Sequence, residues 1–392
     1  MLTVSENILL FVSSFGFLQG VLFALIIFFH PKRDRSVSPF LALYILVVSM
    51  PIMIAIGQHL FSWQFIVFVE PFILLIGPFL YLYVRSFKER ITFKKAWPHF
   101  IFPVLYIGFS CWQYFNIGIN YPPTVNVPVE VLKNPVVRTE IIIRNLQRLL
   151  YYLLSLRALA NYQRSIRQLF SETSRINLRW VKWLINGGLV LFILTLLFTF
   201  LLLRDPEKFN LWSLIPSTLT CIYIYLATFR GVTQPTLWQI QPGVKKEQLE
   251  ADMQKAEEFE FLHSGKSMQE AISSPVNSRT AAITSRVIEL MEKEKYYQEP
   301  ELTLQNLADK LHVPAYQVSQ AINEGLKKNF YDLVNGYRIE EAKRLLLDPN
   351  NNNYTILSVG FEAGFNSKTT FNTVFKKFTG LTPTEFRSNW QA

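Results

Sequence analysis

The stretch GFNSKTTFNTVFKKFTGLTP, residues 364–383, decides how the C-terminal third of this chain is interpreted. It contains three lysines and no acidic residue, and it repeats phenylalanine at helical spacing. We expect a helix over 367–378 whose buried side carries Phe371, Val374, Phe375 and Phe378. The remaining polar and basic side chains are candidates for DNA contact, with the two adjacent lysines placed for phosphates: Asn366, Ser367, Lys368, Thr370, Asn372, Thr373, Lys376 and Lys377.

Two similar helix pairs are predicted on either side of one long helix. Thr303 can cap a helix over 304–311, and the turn HVP leads to a second helix over about 315–324 with Pro314 in its first turn. A long helix over 330–347 is followed by one over 356–363, and the turn GFNS connects this to the helix over 367–378. Gly380 fits a left-handed cap, and TPTE at 382–385 fits a capping box for a final helix. The pattern predicts two helix-turn-helix units joined by one connecting helix.

This arrangement suits duplex DNA in its dimensions. A connecting helix of about 18 residues at about 1.5 Å each spans about 27 Å, and successive groove faces recur about 34 Å apart. The first reading helix offers polar but uncharged side chains, which suit base reading at adenine: Tyr316, Gln317, Ser319, Gln320 and Asn323. Helix spacing alone is equally compatible with a generic small helical bundle.

The same residues resemble the AraC/XylS family of bacterial transcription regulators. The family's first helix-turn-helix and connecting helix are similar to LTLQNLADKLHVPAYQVSQAINEGLKKNFYDLVNGYRIEEAKRLL. Its second helix-turn-helix is similar to ILSVGFEAGFNSKTTFNTVFKKFTGLTPTEFR. The resemblance implies a cytosolic, sequence-specific domain that binds double-stranded DNA and acts on transcription, with RNA polymerase as a partner. His312 stands where the family usually has Gly in the first turn, so we expect His312 to adopt a left-handed conformation there. Gly360 stands where the family usually has Ala.

Charge is distributed unevenly along the 392 residues. Residues 1–230 contain 21 Lys and Arg against 9 Asp and Glu, whereas residues 281–392 contain 13 of each. The excess of positive charge therefore lies in the apolar N-terminal part, and DNA binding has to be argued from local pattern and not from the overall +10 charge.

The N-terminal part has the composition of a membrane domain. Seven stretches have about the length that a spanning helix needs: 7–29, 39–57, 65–84, 97–117, 140–160, 180–202 and 211–229. With seven spans, alternate loops 30–38, 85–96 and 161–179 together hold twelve Lys and Arg, and the opposite segments hold four. The positive-inside rule then places the N-terminus outside and the C-terminus in the cytosol. If 140–160 did not span, the basic loops would fall on opposite sides.

Three of the charged side chains inside these spans are candidates for an intramembrane pair or a ligand site. Arg144 and Arg148 share one face of the fifth span, and Glu70 is the acid embedded in the third. Pairing of Glu70 with either arginine would satisfy both charges. A structural ion pair and a ligand or ion pocket both remain open.

No cofactor or metal site is predicted, and the chain lacks the phosphate-loop, zinc-ligand and nucleophile motifs of common enzymes, so we expect a non-enzyme. Cys111 and Cys221 lie in apolar segments and predict no disulfide framework. We expect an all-α chain with three parts: a seven-helix transmembrane domain over 1–230, a linker over 231–280 that is a solvated spacer or a coiled coil, and a double helix-turn-helix DNA-binding domain over 281–392.

The resulting hypothesis is a multi-pass protein of the bacterial inner membrane, an arrangement that resembles Bacteroidetes-type family members. Its bilayer domain would sense a signal, including a small-molecule ligand, and control transcription. The alternatives are a passive anchor on a constitutive DNA-binding domain and a transporter-like module with a regulatory tail. The oligomeric state is open, with a homodimer among the options.

Overall fold

The computed structural model describes residues 4–30, 37–116, 120–121, 123–124, 127–173, 178–204, 209–233, 275–351 and 353–391. Within these ranges the protein is mostly helical and has no β-strand, only one isolated antiparallel bridge between Phe170 and Thr303. The all-α prediction is confirmed for this part of the chain. The predicted linker 231–280 falls mainly on 234–274, which lies outside the described residues.

The chain divides into two compact units. The first unit consists of Met1–Asn161 and Leu178–Pro242, and the second unit consists of Tyr162–Asn177 and Gly243–Ala392. The described helices that begin in the first unit are α1 Val4–Phe29, α2 Ser38–Ser49, α3 Met53–Leu60, α4 Ile66–Ile73, α5 Ile76–Arg85, α6 Phe93–Ala96, α7 Ile101–Asn116, α8 Val129–Lys133, α9 Pro135–Leu169, α10 Arg179–Arg204 and α11 Phe209–Thr233. The last turns of α9 already belong to the second unit.

Prolines interrupt two of the predicted spans. A short 3₁₀ turn at Met50–Ile52, which contains Pro51, separates α2 from α3. Pro78 in α5 has no N–H to give to the carbonyl of Leu74 four residues earlier, and the side chain of Gln147 on α9 donates to that carbonyl at 3.0 Å. A side chain on another helix thus satisfies the freed carbonyl, as apolar surroundings demand.

Buried tyrosines link the helices of the first unit. The hydroxyls of Tyr44 on α2 and Tyr223 on α11 lie 2.7 Å apart, and the Tyr223 hydroxyl donates to the carbonyl of Leu184 on α10 at 2.9 Å. Because each hydroxyl is buried, these bonds satisfy polar groups that would otherwise lack a hydrogen-bond partner.

In the part of the chain that the structure describes, three helical stretches are long and apolar enough to cross a membrane: Glu6–Phe29, Trp63–Arg85 and Arg179–Leu201. The apolar stretch Ser38–Ile52 is shorter. α7, with 16 residues, is about 24 Å long, less than the roughly 30 Å of a bilayer core, and α9 carries several charges. The count of seven spans stays a prediction.

The second unit is a small helical domain. Its described helices after the end of α9 are α12 Pro275–Glu292, α13 Leu304–Leu311, α14 Ala315–Gln320, α15 Phe330–Leu347, α16 Ile356–Glu362, α17 Lys368–Thr379 and α18 Pro383–Gln391. A buried core joins α15, α16 and α17 through residues such as Ile339, Val359 and Phe371. The connecting helix α15 has the predicted bounds.

Local capping rules account for several of these helix ends. The Thr303 side chain caps α13 by accepting from the backbone N–H of Asn306, and the Thr382 hydroxyl and Glu385 carboxylate form the predicted box at α18. His312 adopts the left-handed conformation at φ 54°, and Gly380 does so at φ 79°. These four predictions are confirmed.

Candidate nucleic-acid interface

The second reading helix, α17, is held by its turn and its cap. Gly364 has a φ of 95°, and a Cβ there would lie 2.8 Å from the carbonyl oxygen of Tyr297, so glycine is required on two grounds. The Ser367 hydroxyl accepts from the backbone N–H of Thr370 at 3.1 Å and caps the helix. Ser367, predicted as a DNA contact, therefore serves the helix itself.

The apolar face of α17 is packed into the domain core. Phe371, Val374 and Phe375 are buried, as the phenylalanine spacing predicts. The missing side chain of Gly360 lets α16 approach, since a Cβ at that position would lie 2.7 Å from the Phe371 ring. Phe378 was expected on this face but is 39% exposed, because it lies at the C-terminal edge of the helix.

The thirteen predicted DNA-contact side chains divide into three groups. Five are exposed: Tyr316, Lys368, Thr373, Lys376 and Lys377. Five are half-buried: Gln317, Asn323, Asn366, Ser367 and Asn372. Three that were expected at the surface are instead buried: Ser319, Gln320 and Thr370.

The burial of these three side chains has different causes in the two helices. The six-residue helix α14 is packed between α12 and α13, so more than one of its faces is covered. Ser319 lies 3.5 Å from the Asn323 amide, and Gln320 donates to Glu324 at 3.0 Å. Thr370 is covered by a segment from the N-terminal half of the chain, described below.

The lysines of α17 differ in their environment. Lys377 forms an ion pair of 2.7 Å with Asp332 on the connecting helix, and its ammonium lies 5.4 Å from the centre of the Tyr331 ring. Among the described residues, Lys368 and Lys376 form no ion pair. Lys368 and Lys376 can therefore contact a phosphate without breaking an ion pair. At Lys377 a phosphate would compete with Asp332 for the ammonium group.

The last helix is fixed by the motif TPTEFR. The Phe386 ring packs edge-on against Phe375 at 5.3 Å, and an Arg387 guanidinium nitrogen donates to the carbonyl of Tyr354 at 2.8 Å. α18 therefore supports the base of α17 and holds the reading helix in place.

Two helix pairs, a connecting helix and an exposed basic face are thus present in the second unit. Residues 307–389 match the family model of a helix-turn-helix domain. The match supports an AraC-type DNA-binding domain and hence a DNA-binding transcription regulator. No curated protein and no solved structure matches the chain.

A segment from the other half of the chain is built into the helix-turn-helix domain. Phe170, Ser171 and Glu172 directly follow α9, and we call them the clasp. Ser171 is fully buried, and both its N–H and its hydroxyl donate to the carbonyl of Leu302, at 3.2 and 2.6 Å. The Thr370 hydroxyl, in the first turn of α17, donates to the Glu172 carboxylate at 3.2 Å. The clasp thus contacts residues from both helix-turn-helix units.

Two buried polar side chains of the connecting helix complete the clasp's surroundings. Asn335 donates to the carbonyl of Ser171 at 2.9 Å. The guanidinium of Arg338 donates to the carbonyls of Tyr297 and Glu299 at 2.7 and 2.6 Å. Burial lowers the pKa of Arg338 to about 10, so it remains protonated at neutral pH, and Glu172 opposes that shift. No local sequence pattern pointed to the contacts of the clasp, because its residues lie at least 131 positions from the residues to which they bond.

Two of the three charged side chains predicted inside the first unit, Glu70 and Arg144, lie in one cluster. An Arg144 guanidinium nitrogen lies 2.6 Å from the Glu70 carboxylate and 3.0 Å from that of Glu140. The Tyr106 hydroxyl lies within hydrogen-bond distance of both carboxylates. Arg148, one turn further along α9, forms no ion pair with this cluster. Glu140 was not singled out from the sequence, although its spacing of four from Arg144 on a helix is the signal that identifies it.

Proposed function

We propose that this protein is a membrane-anchored, sequence-specific transcription regulator whose first unit senses a signal and controls its helix-turn-helix domain. The observation that carries the control step is the clasp. A passive anchor requires no contact with the reading helix, whereas Glu172 contacts Thr370 in the first turn of α17.

Membrane anchoring is supported by the surface of the first unit. Large apolar side chains are exposed along several of its helices, including Phe11, Leu105, Leu146 and Phe200. So many exposed large apolar side chains are costly in water and are expected against lipid. The basic loops predict the C-terminus and the loop 161–179 on the same, cytosolic side. Tyr162–Asn177 and the C-terminal domain share one compact unit, which is consistent with that topology.

The route of control follows the chain. α9 begins at Pro135, carries Arg144 and Arg148, and ends at Leu169 directly before the clasp. A ligand that shifts or rotates α9 would pull on the clasp, because α9 itself leads from Arg144 and Arg148 to the clasp. The connection requires no wider network, since covalent continuity of a helix supplies it.

The chemistry of the clasp indicates the direction of control. The N-terminus of a helix attracts anions, and DNA-reading helices use it for phosphate. In this protein the carboxylate of Glu172 lies at the first turn of α17 and contacts a residue predicted to face DNA. We propose that the docked clasp excludes a phosphate from this turn and holds the domain in a low-affinity state. Release of the clasp then raises DNA affinity, and RNA polymerase responds to the bound form.

The test begins with selection of duplexes from a random library by residues 275–392, whose helical folding is checked by circular dichroism. We expect these residues to bind a selected duplex at least about 10³-fold more tightly than a scrambled one, with a steep salt dependence. Intact protein in lipid discs is expected to bind the same duplex more weakly than the isolated domain. Equal affinity for selected and scrambled duplexes would overturn the DNA-binding proposal, and equal affinity of the intact protein and the domain would favour the passive anchor.

A further inference from the structure

A cavity of about 320 Å³ lies within the first unit. Helices α2, α4, α9, α10 and α11 all contribute to its lining, which is mostly apolar and includes Pro51, Ile66 and Leu191. Its volume falls at the lower end of the range for small-molecule sites. The cavity is therefore large enough for a compact ligand of roughly ten non-hydrogen atoms.

Three of the charged side chains in the cavity wall form one ion cluster of two carboxylates and one arginine. Glu70, Glu140 and Arg144 all line the cavity, but Arg144 contacts both carboxylates and the Tyr106 hydroxyl bonds to them. A ligand amine would have to displace Arg144 to reach either acid. In this part of the wall Arg144 is already paired with two carboxylates, and an anionic ligand there would meet both of them.

Arg148 is the exception in the same wall. Its Nε is buried without a hydrogen-bond partner, and its guanidinium stacks over the Phe192 ring at 5.0 Å. No carboxylate of the described residues lies within ion-pair distance of it. The Arg148 side chain is half-buried, and its hydrogen-bond partner Tyr152 is neutral. Its planar set of donors matches a carboxylate or phosphate.

We propose that this cavity binds a small anion carried on an apolar body, with the anionic group on Arg148 and the body against the aliphatic wall. The inference rests on the proposed function, because it names the class of signal that the first unit senses. Arg148 belongs to α9, so the bound anion acts on the helix that leads to the clasp. A free carboxylate and a lipid headgroup share this chemistry.

The experiment measures binding of hexanoate to the intact protein in phosphatidylcholine discs by equilibrium dialysis, with empty discs subtracted. 1-Hexanol has the same chain without the charge. We expect hexanoate to bind more tightly than 1-hexanol, and Arg148→Gln to weaken hexanoate binding by at least about tenfold while leaving 1-hexanol unchanged. Arg148→Lys should restore most of the affinity because it restores the cation.

Arg157→Gln is the matched control, since Arg157 is exposed on the same helix and does not line the cavity. It should leave hexanoate binding unchanged. Retained 1-hexanol binding shows that the Arg148→Gln variant is folded. Hexanoate binding no tighter than that of 1-hexanol, or equal in wild type and Arg148→Gln, overturns the proposal.

Discs that also contain phosphatidylglycerol distinguish the two sources of the anion. Loss of hexanoate binding in these discs identifies a lipid headgroup as the occupant of Arg148, and unchanged binding identifies a free anion. The assay contains no DNA, so its failure removes the anion site alone, whereas the proposed function fails on the duplex-binding result.

Discussion

Release of the clasp by mutation should raise the DNA affinity of the intact protein. The double variant Ser171→Ala, Glu172→Gln removes the hydroxyl bond to Leu302 and replaces the charged acceptor of Thr370 with a neutral amide. The first loss costs about 1 kcal/mol, and the weaker acceptor costs about another 1 kcal/mol. Docking is thereby weakened by about 2 kcal/mol, which is about 30-fold in the docking equilibrium.

If only the undocked domain binds DNA, the apparent affinity rises by the same factor as long as the docked form dominates. We therefore expect the dissociation constant of a selected duplex to fall by up to about 30-fold in a fluorescence-anisotropy titration of intact protein in lipid discs. Hydrogen exchange at the backbone amide of position 171, which is bonded to the Leu302 carbonyl in the docked form, should be faster in the double variant than in the wild type.

Glu301→Gln is the matched control, because Glu301 is exposed on the same domain and undergoes the same change of charge. It reports how much affinity a single lost negative charge adds without release of the clasp. Accelerated exchange at Ser171 with an unchanged or weaker DNA affinity would refute the inhibitory role of the clasp. Unchanged exchange would show that the hydrogen bonds contribute less than about 1 kcal/mol each.

Four further predictions concern the helix-turn-helix domain. Phe371→Ala should destabilise the domain by about 3–5 kcal/mol in urea titrations, because this fully buried ring packs on Phe365 and Phe375; a loss below about 1 kcal/mol would contradict that packing. Gly360→Ala should also destabilise, by about 1–3 kcal/mol, despite the better helix propensity of alanine, because the added Cβ meets the Phe371 ring; a more stable variant would count against the close approach. Lys376→Ala should weaken binding to selected and scrambled duplexes equally and reduce the salt slope by about 1, whereas an unchanged slope would place Lys376 off the phosphates. Hydrogen bonding from Arg344 lowers the pKa of Glu341, so this carboxylate stabilises the fold above its unfolded pKa near 4.3, and the effect is lost as pH falls from there through the lowered folded pKa; Glu341→Gln should lower the melting temperature more at pH 7 than at about pH 3, and an equal effect at both would exclude the charge.

Local rules predicted the helix-turn-helix domain well. The bounds of the connecting helix, the cap at Thr303 and the left-handed His312 all follow from residues within one or two turns of each other, where propensity and capping dominate. The phenylalanine spacing likewise predicted the buried face of α17, because a helical period needs no knowledge of the partner surface.

The errors and omissions arise from contacts over long sequence separations. Thr370 is buried because Glu172 covers it, and the two are 198 residues apart in sequence. Ser319 and Gln320 are buried because α14 is covered on more than one side, which a single-helix period cannot show. In the first unit, the sequence offered Glu70 two possible partners, Arg144 and Arg148. The packing of α4 beside α9 pairs Glu70 with Arg144.

The central claim is that intact protein binds specific DNA through α17 while anchored to a membrane. Genome-wide mapping of DNA bound in cells by the intact protein tests it most directly, with Lys368→Ala, Thr373→Ala as the paired variant because both side chains are exposed on α17. The account predicts discrete sites that share one sequence motif and that are lost in the variant. Bound DNA without a common motif, or the same sites in both proteins, would contradict it.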